Sequence, residues 1–213
     1  MRGVVFDLDG TLVDTMPLVF RMFAHAISPF AKPLTDDEWR AQLGGPPDRI
    51  LERLLGNKAH AQQAMVRLAE YERAQLQKVT AFPGMKSLLV ELRSVGISLG
   101  VWTGRDRNST QKLIDEHGLG ELLTAWTCGD DLPSHKPDPA GLLAVLERLK
   151  VSPAEALFVG DAECDVVAGA TLGVKTLWIT HGLQVNPILE RQAWNVVSSP
   201  ANAYEVIRAN LIC

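Results

Sequence analysis

Cysteine is scarce in this chain: Cys128, Cys164 and Cys213 are the only three in 213 residues, odd in number and widely spaced. No CxxC or Cys/His metal spacing occurs, so a disulfide scaffold and a zinc site are disfavoured and a reducing compartment, the cytoplasm, is expected. Long apolar runs are missing as well. None approaches the ~20 residues of a membrane span, and no charged segment followed by an apolar one precedes the first strand-like residues. No membrane partner is expected. Basic charge is not in excess either: 21 Lys and Arg face 25 Asp and Glu, for a net charge of −4. The basic footprint of a nucleic-acid binder is absent. Internal repeats and low-complexity tracts are also absent. The remainder is ordinary for a globular protein, 46% apolar and 22% charged, and the length suits one large domain or a core with an insert.

The informative stretch is Val4 to Asp14, VVFDLDGTLVD. An apolar run with two β-branched valines ends in Asp7 and Asp9, followed at once by Gly10 and Thr11. This reads as a buried strand that delivers two acids to its carboxyl end, with a glycine where the backbone must turn. Two residues apart, the acids point the same way in extended backbone. Like charges so placed are costly unless a cation lies between them or one takes a proton.

Beyond Asp14 the pattern is helical to about Thr80. Leu18, Met22, Phe23 and Ala26 recur at helical spacing, Thr35-Asp36-Asp37-Glu38 reads as an N-cap with acids in the first turn, and Ala59 to Lys78 is rich in helix formers. Three or four helices and no strand are predicted there. From Phe82 on, helices and strands alternate. Strands are predicted over Ile97–Trp102, Thr124–Thr127, Ala156–Val159, Val174–Ile179 and Trp194–Val197. Helices are predicted over Met85–Val95, Asn108–His117, Pro139–Lys150, Cys164–Leu172 and Ala201–Asn210. Such alternation implies an α/β fold with a doubly wound parallel sheet. Ligands of these sheets bind beyond the carboxyl ends of the strands, where Asp7, Thr103 and Asp161 all fall. The expected division is a core of residues 1–14 and 80–213 with an inserted helical domain of residues 15–79.

Four motifs stand in order along the chain: Asp7-Leu8-Asp9-Gly10-Thr11, Thr103 after Gly100-Val101-Trp102, Lys136 in His135-Lys136-Pro137-Asp138-Pro139, and Gly160-Asp161-Ala162-Glu163-Cys164-Asp165. Together they resemble the haloacid dehalogenase-like hydrolase superfamily, in its phosphoglycolate phosphatase-like and β-phosphoglucomutase-like branch with a helical cap. The resemblance implies a Rossmann-like core and a phosphatase of a small phosphorylated metabolite, acting through an aspartyl-phosphate with Mg²⁺ as cofactor. In that scheme Asp7 is the nucleophile and a metal ligand, and Asp9 is the general acid and base, lending its backbone carbonyl to the metal. Asp161 and Asp165 complete the metal shell. Thr103, Gly104, Gly10 and Thr11 hold phosphate oxygens, and Lys136 neutralises charge on the transferring group. The role of Asp9 requires a pKa well above the ordinary carboxylate value of ~3.9, for which crowding by Asp7 and cap closure are the expected causes.

Several positions stay open. Arg105, where many relatives carry lysine or asparagine nearby, can bring its five-donor fork to a substrate or be a solvated arginine at a helix start. Gly45 and Arg49, in Leu43-Gly44-Gly45-Pro46-Pro47-Asp48-Arg49, either face the active site from the cap or form a tight helix connection. His135 adjoins Lys136. His25, His60, His117 and His181 read as surface or structural residues, Trp102, Trp126 and Trp178 as core, and Cys164 as a small packed residue. A dehalogenase is disfavoured because an acid occupies position 9, and a phosphonatase because neither Lys32 nor Lys58 shows signs of activation. A receiver domain is disfavoured because its phosphoacceptor lies on a later strand. A β-phosphoglucomutase-like isomerase shares all four motifs but carries a hinge histidine that Met16–Phe20 lacks. It remains the alternative, with a non-catalytic phosphate-binding protein of the same fold. The chain is expected to act as a monomer or homodimer.

Overall fold

The structure, a computed structural model, describes residues 1–35, 38–39, 47–75 and 79–212. Two compact units are present, Met1–Asp14 with Thr80–Cys213, and Thr15–Val79.

The first unit is built on a six-stranded sheet of β1 (Gly3–Phe6), β4 (Ser98–Trp102), β5 (Ala125–Thr127), β6 (Ala156–Gly160), β7 (Lys175–Ile179) and β8 (Asn195–Val197). Their order is β5-β4-β1-β6-β7-β8, with every neighbouring pair parallel. The predicted doubly wound sheet is therefore present. Its central position belongs to β1, whose Val4, Val5 and Phe6 are fully buried, as strands covered on both faces must be. The connecting helices of this unit are α4 (Met85–Ser94), α5 (Arg107–Glu116), α6 (Ala140–Leu149), α7 (Glu163–Leu172), the short α8 (Pro187–Glu190) and α9 (Pro200–Leu211). Helix α6 presents Leu142, Val145, Leu146 and Leu149 to a core that includes Val5, Trp102 and Phe158. That spacing is the apolar stripe of an amphipathic helix. Trp102 and Trp178 are buried as expected, whereas Trp126 is only half-buried because β5 is the edge of the sheet.

The second unit contains α1 (Met16–Ile27), α2 (Pro47–Leu55) and α3 (Lys58–Gln75). The expected cap at Thr35 is formed: its hydroxyl accepts from the Glu38 N–H at 3.3 Å, and the Glu38 carboxylate accepts from the Thr35 N–H at 2.8 Å. Asp36 and Asp37 of that motif lie outside the described residues. Residues 15–79, expected to hold no strand, carry none among the described residues; flanking them, β2 (Val13–Asp14) pairs antiparallel with β3 (Thr80–Ala81), a pair not expected from the sequence. Strands of two residues have no period to detect. Helix α8, a single turn, escapes prediction for the same reason. No helix among the described residues is long and apolar enough to cross a membrane.

Candidate active site

Strands β4, β1 and β6 are adjacent and parallel, so the residues that follow their last members emerge side by side. These residues are Thr103, Asp7 and Asp161. Asp7 is still tied to the sheet by its N–H, which donates to the Val159 carbonyl at 2.8 Å, and Thr103 N–H donates to the Thr127 carbonyl at 3.0 Å. Both side chains are buried and are therefore aimed from fixed backbone.

Lys136, in the connection between β5 and α6, joins this rim from far along the chain. Its ammonium donates to Asp7 Oδ1 at 2.5 Å and lies 2.8 Å from Asp165 Oδ1 in the first turn of α7. It also stands 4.8 Å from the centre of the Trp102 ring, a favourable place for a cation. Asp165 is fully buried, and its other oxygen, Oδ2, accepts from the Ala162 N–H at 3.1 Å. Carboxylate oxygens of Asp7, Asp161 and Asp165 all lie within 4.8 Å of one another.

The electrostatics follow from this crowding. Burial pushes the Asp7 carboxyl well above the usual carboxylate range; Lys136 opposes that, and the charges of Asp165, Asp161 and Asp9 add to it. Asp161 is likewise raised, chiefly by burial. Burial would lower the Lys136 ammonium, but the charges of Asp165 and Asp7 prevail and hold it raised, hence protonated. One lysine thus faces three carboxylates. Asp165 Oδ1, although near Lys136, has no properly aligned hydrogen-bond donor among the described residues. Three hard oxygen donors with surplus negative charge fit a divalent cation such as Mg²⁺.

The loop from Asp7 to Asp14 is held from several directions. Gly10 has φ +72°, and a Cβ there would collide with the Asp161 carboxylate, so only glycine suits the position. The Gly10 carbonyl accepts from His181 Nε2 at 2.8 Å, and that nitrogen is 3.6 Å from Asp161 Oδ2. Since a carbonyl can only accept, Nε2 carries the proton. The Asp161 carboxylate beside it raises the His181 pKa despite partial burial. The buried Tyr204 hydroxyl donates to the Thr11 carbonyl at 2.7 Å, and Phe82 N–H donates to the Leu12 carbonyl at 3.0 Å. Trp178 Nε1 fixes the neighbouring acidic loop by donating to the Asp161 carbonyl at 3.0 Å. Of the two expected roles, surface or structural, His181 therefore takes the structural one, holding this loop through the Gly10 carbonyl. No local signal exposes it, for its partner Gly10 lies 171 residues away.

Arg105 is not a solvated helix-start residue. Its side chain is only 10% exposed and forks onto Asp9, Nη2 to Oδ1 at 2.7 Å and Nε to Oδ2 at 3.1 Å. Gly104 lines a small pocket with Thr103, Cys128, His135 and Lys136, so His135 does border the rim. Thr11 Oγ1 is buried with no hydrogen-bond partner among the described residues. The Cys164 thiol is pushed up to about 12 by burial, as suits a packed residue rather than a reactive one. In the helical unit, Arg49 lies on α2 with an exposed side chain 3.5 Å from Glu52. Gly45 lies outside the described residues.

The family model for haloacid dehalogenase-like hydrolases matches residues 4–179, a span that holds every rim residue named above except His181 and Tyr204. The chain belongs to this family. This haloacid dehalogenase-like hydrolase is 33% identical over 190 residues to phosphoglycolate phosphatase 1 of Pseudomonas aeruginosa, covering 85% of this chain and 70% of that protein. It is 31% identical over 198 residues to a phosphoglycolate phosphatase of Cereibacter sphaeroides, covering 89% and 90% respectively. Among solved structures, a candidate β-phosphoglucomutase from Thermotoga maritima superposes with a TM-score of 0.82 at 27% identity, over 99% of this chain and all of that one.

Proposed function

We propose that this haloacid dehalogenase-like hydrolase is a phosphoric monoester hydrolase that cleaves a small phosphorylated metabolite through an aspartyl-phosphate at Asp7. The observation that carries this reading is the placement of Asp7 at the end of the central strand, with Lys136 on one oxygen and Asp161 and Asp165 close by. Phosphate monoesters hydrolyse so slowly that enhancements up to ~10²¹-fold are required, and a covalent intermediate divides the barrier.

In the first step an Asp7 carboxylate oxygen attacks phosphorus. A new O–P bond forms as the ester P–O bond breaks, and Asp9 gives a proton to the departing alkoxide. In the second step Asp9 takes a proton from water, whose oxygen attacks the phosphorus of the aspartyl-phosphate. Inorganic phosphate leaves and the Asp7 carboxylate is restored. Lys136 and the Thr103 hydroxyl hold the phosphoryl oxygens, with the Gly104 and Thr11 backbone beside them. Mg²⁺, held by carboxylates of Asp7, Asp161 and Asp165 and the Asp9 carbonyl, would offset the repulsion between the ionised nucleophile and the phosphate dianion. Residues 15–79 serve in this reading as the cap that selects the substrate, Arg49 included. The names of the relatives favour phosphoglycolate or a compound of similar size.

The Thermotoga likeness supports a mutase as the second reading, yet Met16–Phe20 contains no hinge histidine. The experiment is a panel of phosphorylated metabolites, assayed with Mg²⁺ and with chelator, on the wild-type protein and on Asp7→Asn. Phosphate release that needs Mg²⁺ and is lost in Asp7→Asn, together with beryllofluoride trapping only in the wild type, is expected. Turnover retained by Asp7→Asn would overturn the assignment, and isomerisation of a sugar phosphate without release would favour the mutase.

A further inference from the structure

The fork between Arg105 and Asp9 is unexplained by a role for Arg105 in gripping the substrate's phosphoryl group. Both oxygens of Asp9 face the guanidinium, at 2.7 Å and 3.1 Å, although 96 residues separate the two side chains. The pair is shielded, with side-chain exposures of 10% for Arg105 and 32% for Asp9, so salt screens it less than a surface pair. Arg105 is itself fixed at its backbone. Its N–H donates to the Thr103 hydroxyl at 3.1 Å, and its carbonyl accepts from Gly129 N–H at 2.8 Å. One short turn therefore sets both the Thr103 hydroxyl and the Arg105 fork.

We infer that Arg105 is a positioning residue for the general acid, holding the Asp9 carboxyl in place for proton transfer to the leaving group and from the attacking water. The inference rests on the hydrolase reading. Asp9 follows Asp7 in a loop and is partly exposed, so without a partner its side chain would sample several rotamers. An acid must lie within about 3 Å of the oxygen it protonates, and a misplacement of about 1 Å costs on the order of 100-fold. A planar guanidinium matches a carboxylate through two parallel bonds, which fixes orientation as well as distance.

The leaving group distinguishes this role from phosphate binding. An alkyl phosphate departs as a strongly basic alkoxide that needs a proton, whereas 4-nitrophenolate departs without one. The phosphoryl group is common to both esters. Arg105→Ala should therefore lower kcat/KM, which reports the steps up to departure of the leaving group, about 100-fold on the alkyl monophosphate that the wild type hydrolyses fastest, within the range of general acid catalysis. On 4-nitrophenyl phosphate the loss in kcat/KM should stay below about threefold, although kcat falls on both esters because Asp9 also serves the shared hydrolysis of the aspartyl-phosphate. Asp9→Asn should show the same split, and Arg105→Ala added to Asp9→Asn should cost nothing more. Arg105→Lys, which keeps the charge but not the fork, should fall between and serves if Arg105→Ala fails to melt cooperatively. Equal losses of kcat/KM on the two esters, or a further loss in the double variant, would overturn the inference and make Arg105 a phosphate ligand. A wild-type protein inactive on both esters would sink the hydrolase reading, and this one with it.

Discussion

At Gly10 two demands meet in one residue: a left-handed backbone and a void where the Asp161 carboxylate passes. A side chain would meet both penalties, about 1 kcal/mol for the conformation and a displaced carboxylate of the candidate metal site in addition. Gly96 supplies the control, since it has φ +82° and nothing within 4 Å of where a methyl group would stand. Gly10→Ala and Gly96→Ala should each lower the melting temperature by a few degrees. Only Gly10→Ala should also weaken Mg²⁺ binding in titration calorimetry, by about tenfold or more if Asp161 is displaced. Matching Mg²⁺ affinities in the two variants would show that Asp161 tolerates the intrusion.

Among the elements, the loop from Asp7 to Asp14 is held less by β1 than by distant pieces that reach back to it. Helix α9 contributes most plainly. Tyr204 is buried, and its hydroxyl reaches the Thr11 carbonyl across 193 residues of sequence. Tyr204→Phe keeps the ring and deletes that bond, so unfolding by urea should show a loss of about 1 kcal/mol at unchanged slope. Amide exchange in Leu8–Val13 should quicken more than in β6, because the lost donor acts on the loop and not on the sheet. Uniform quickening across the sheet would mean that Tyr204 acts only through core packing. The long elements are legible in the sequence because each carries a period: Leu142, Val145, Leu146 and Leu149 mark α6, and unbroken apolar runs mark β1 and β6. The pair β2 and β3 and the turn α8 are not, being too short to repeat anything.

The whole molecule carries a charge problem at neutral pH. Asp7 and Asp161 both have pKa values raised mainly by burial, with Lys136 as the cation between Asp7 and Asp165. A carboxyl raised in the folded state adds stability that is full below its unfolded pKa, about 3.9, and is lost as pH climbs through the folded value. The contribution of Lys136, whose pKa is raised, stays intact through neutral pH and is lost only in alkali. Ionising the cluster thus destabilises the protein in chelator, and a divalent cation reverses this by favouring the charged carboxylates. The gain in melting temperature on adding Mg²⁺ should be larger at pH 8 than at pH 5, where protons compete for the ligands. An equal gain at both values would place the cation elsewhere. Glu91 and Asp131, whose pKa values are lowered by Arg208 and Arg107, favour stability in the opposite direction but do not touch the cluster.

Local order along the chain encodes the long elements and the motifs. Apolar runs placed the strands, and their parallel order put Asp7, Thr103 and Asp161 on one rim before any side chain was located. The four motifs, each short and contiguous, carried the family. Tertiary structure decided the partnerships: Arg105 on Asp9, His181 on the Gly10 carbonyl, Tyr204 on the Thr11 carbonyl, Trp178 on the Asp161 carbonyl. The physical reason is that a period or a cap is a relation between near neighbours, repeated along the chain. A hydrogen bond between residues 96 or 193 positions apart depends on where the sheet brings their backbones, and no pattern in either neighbourhood records it.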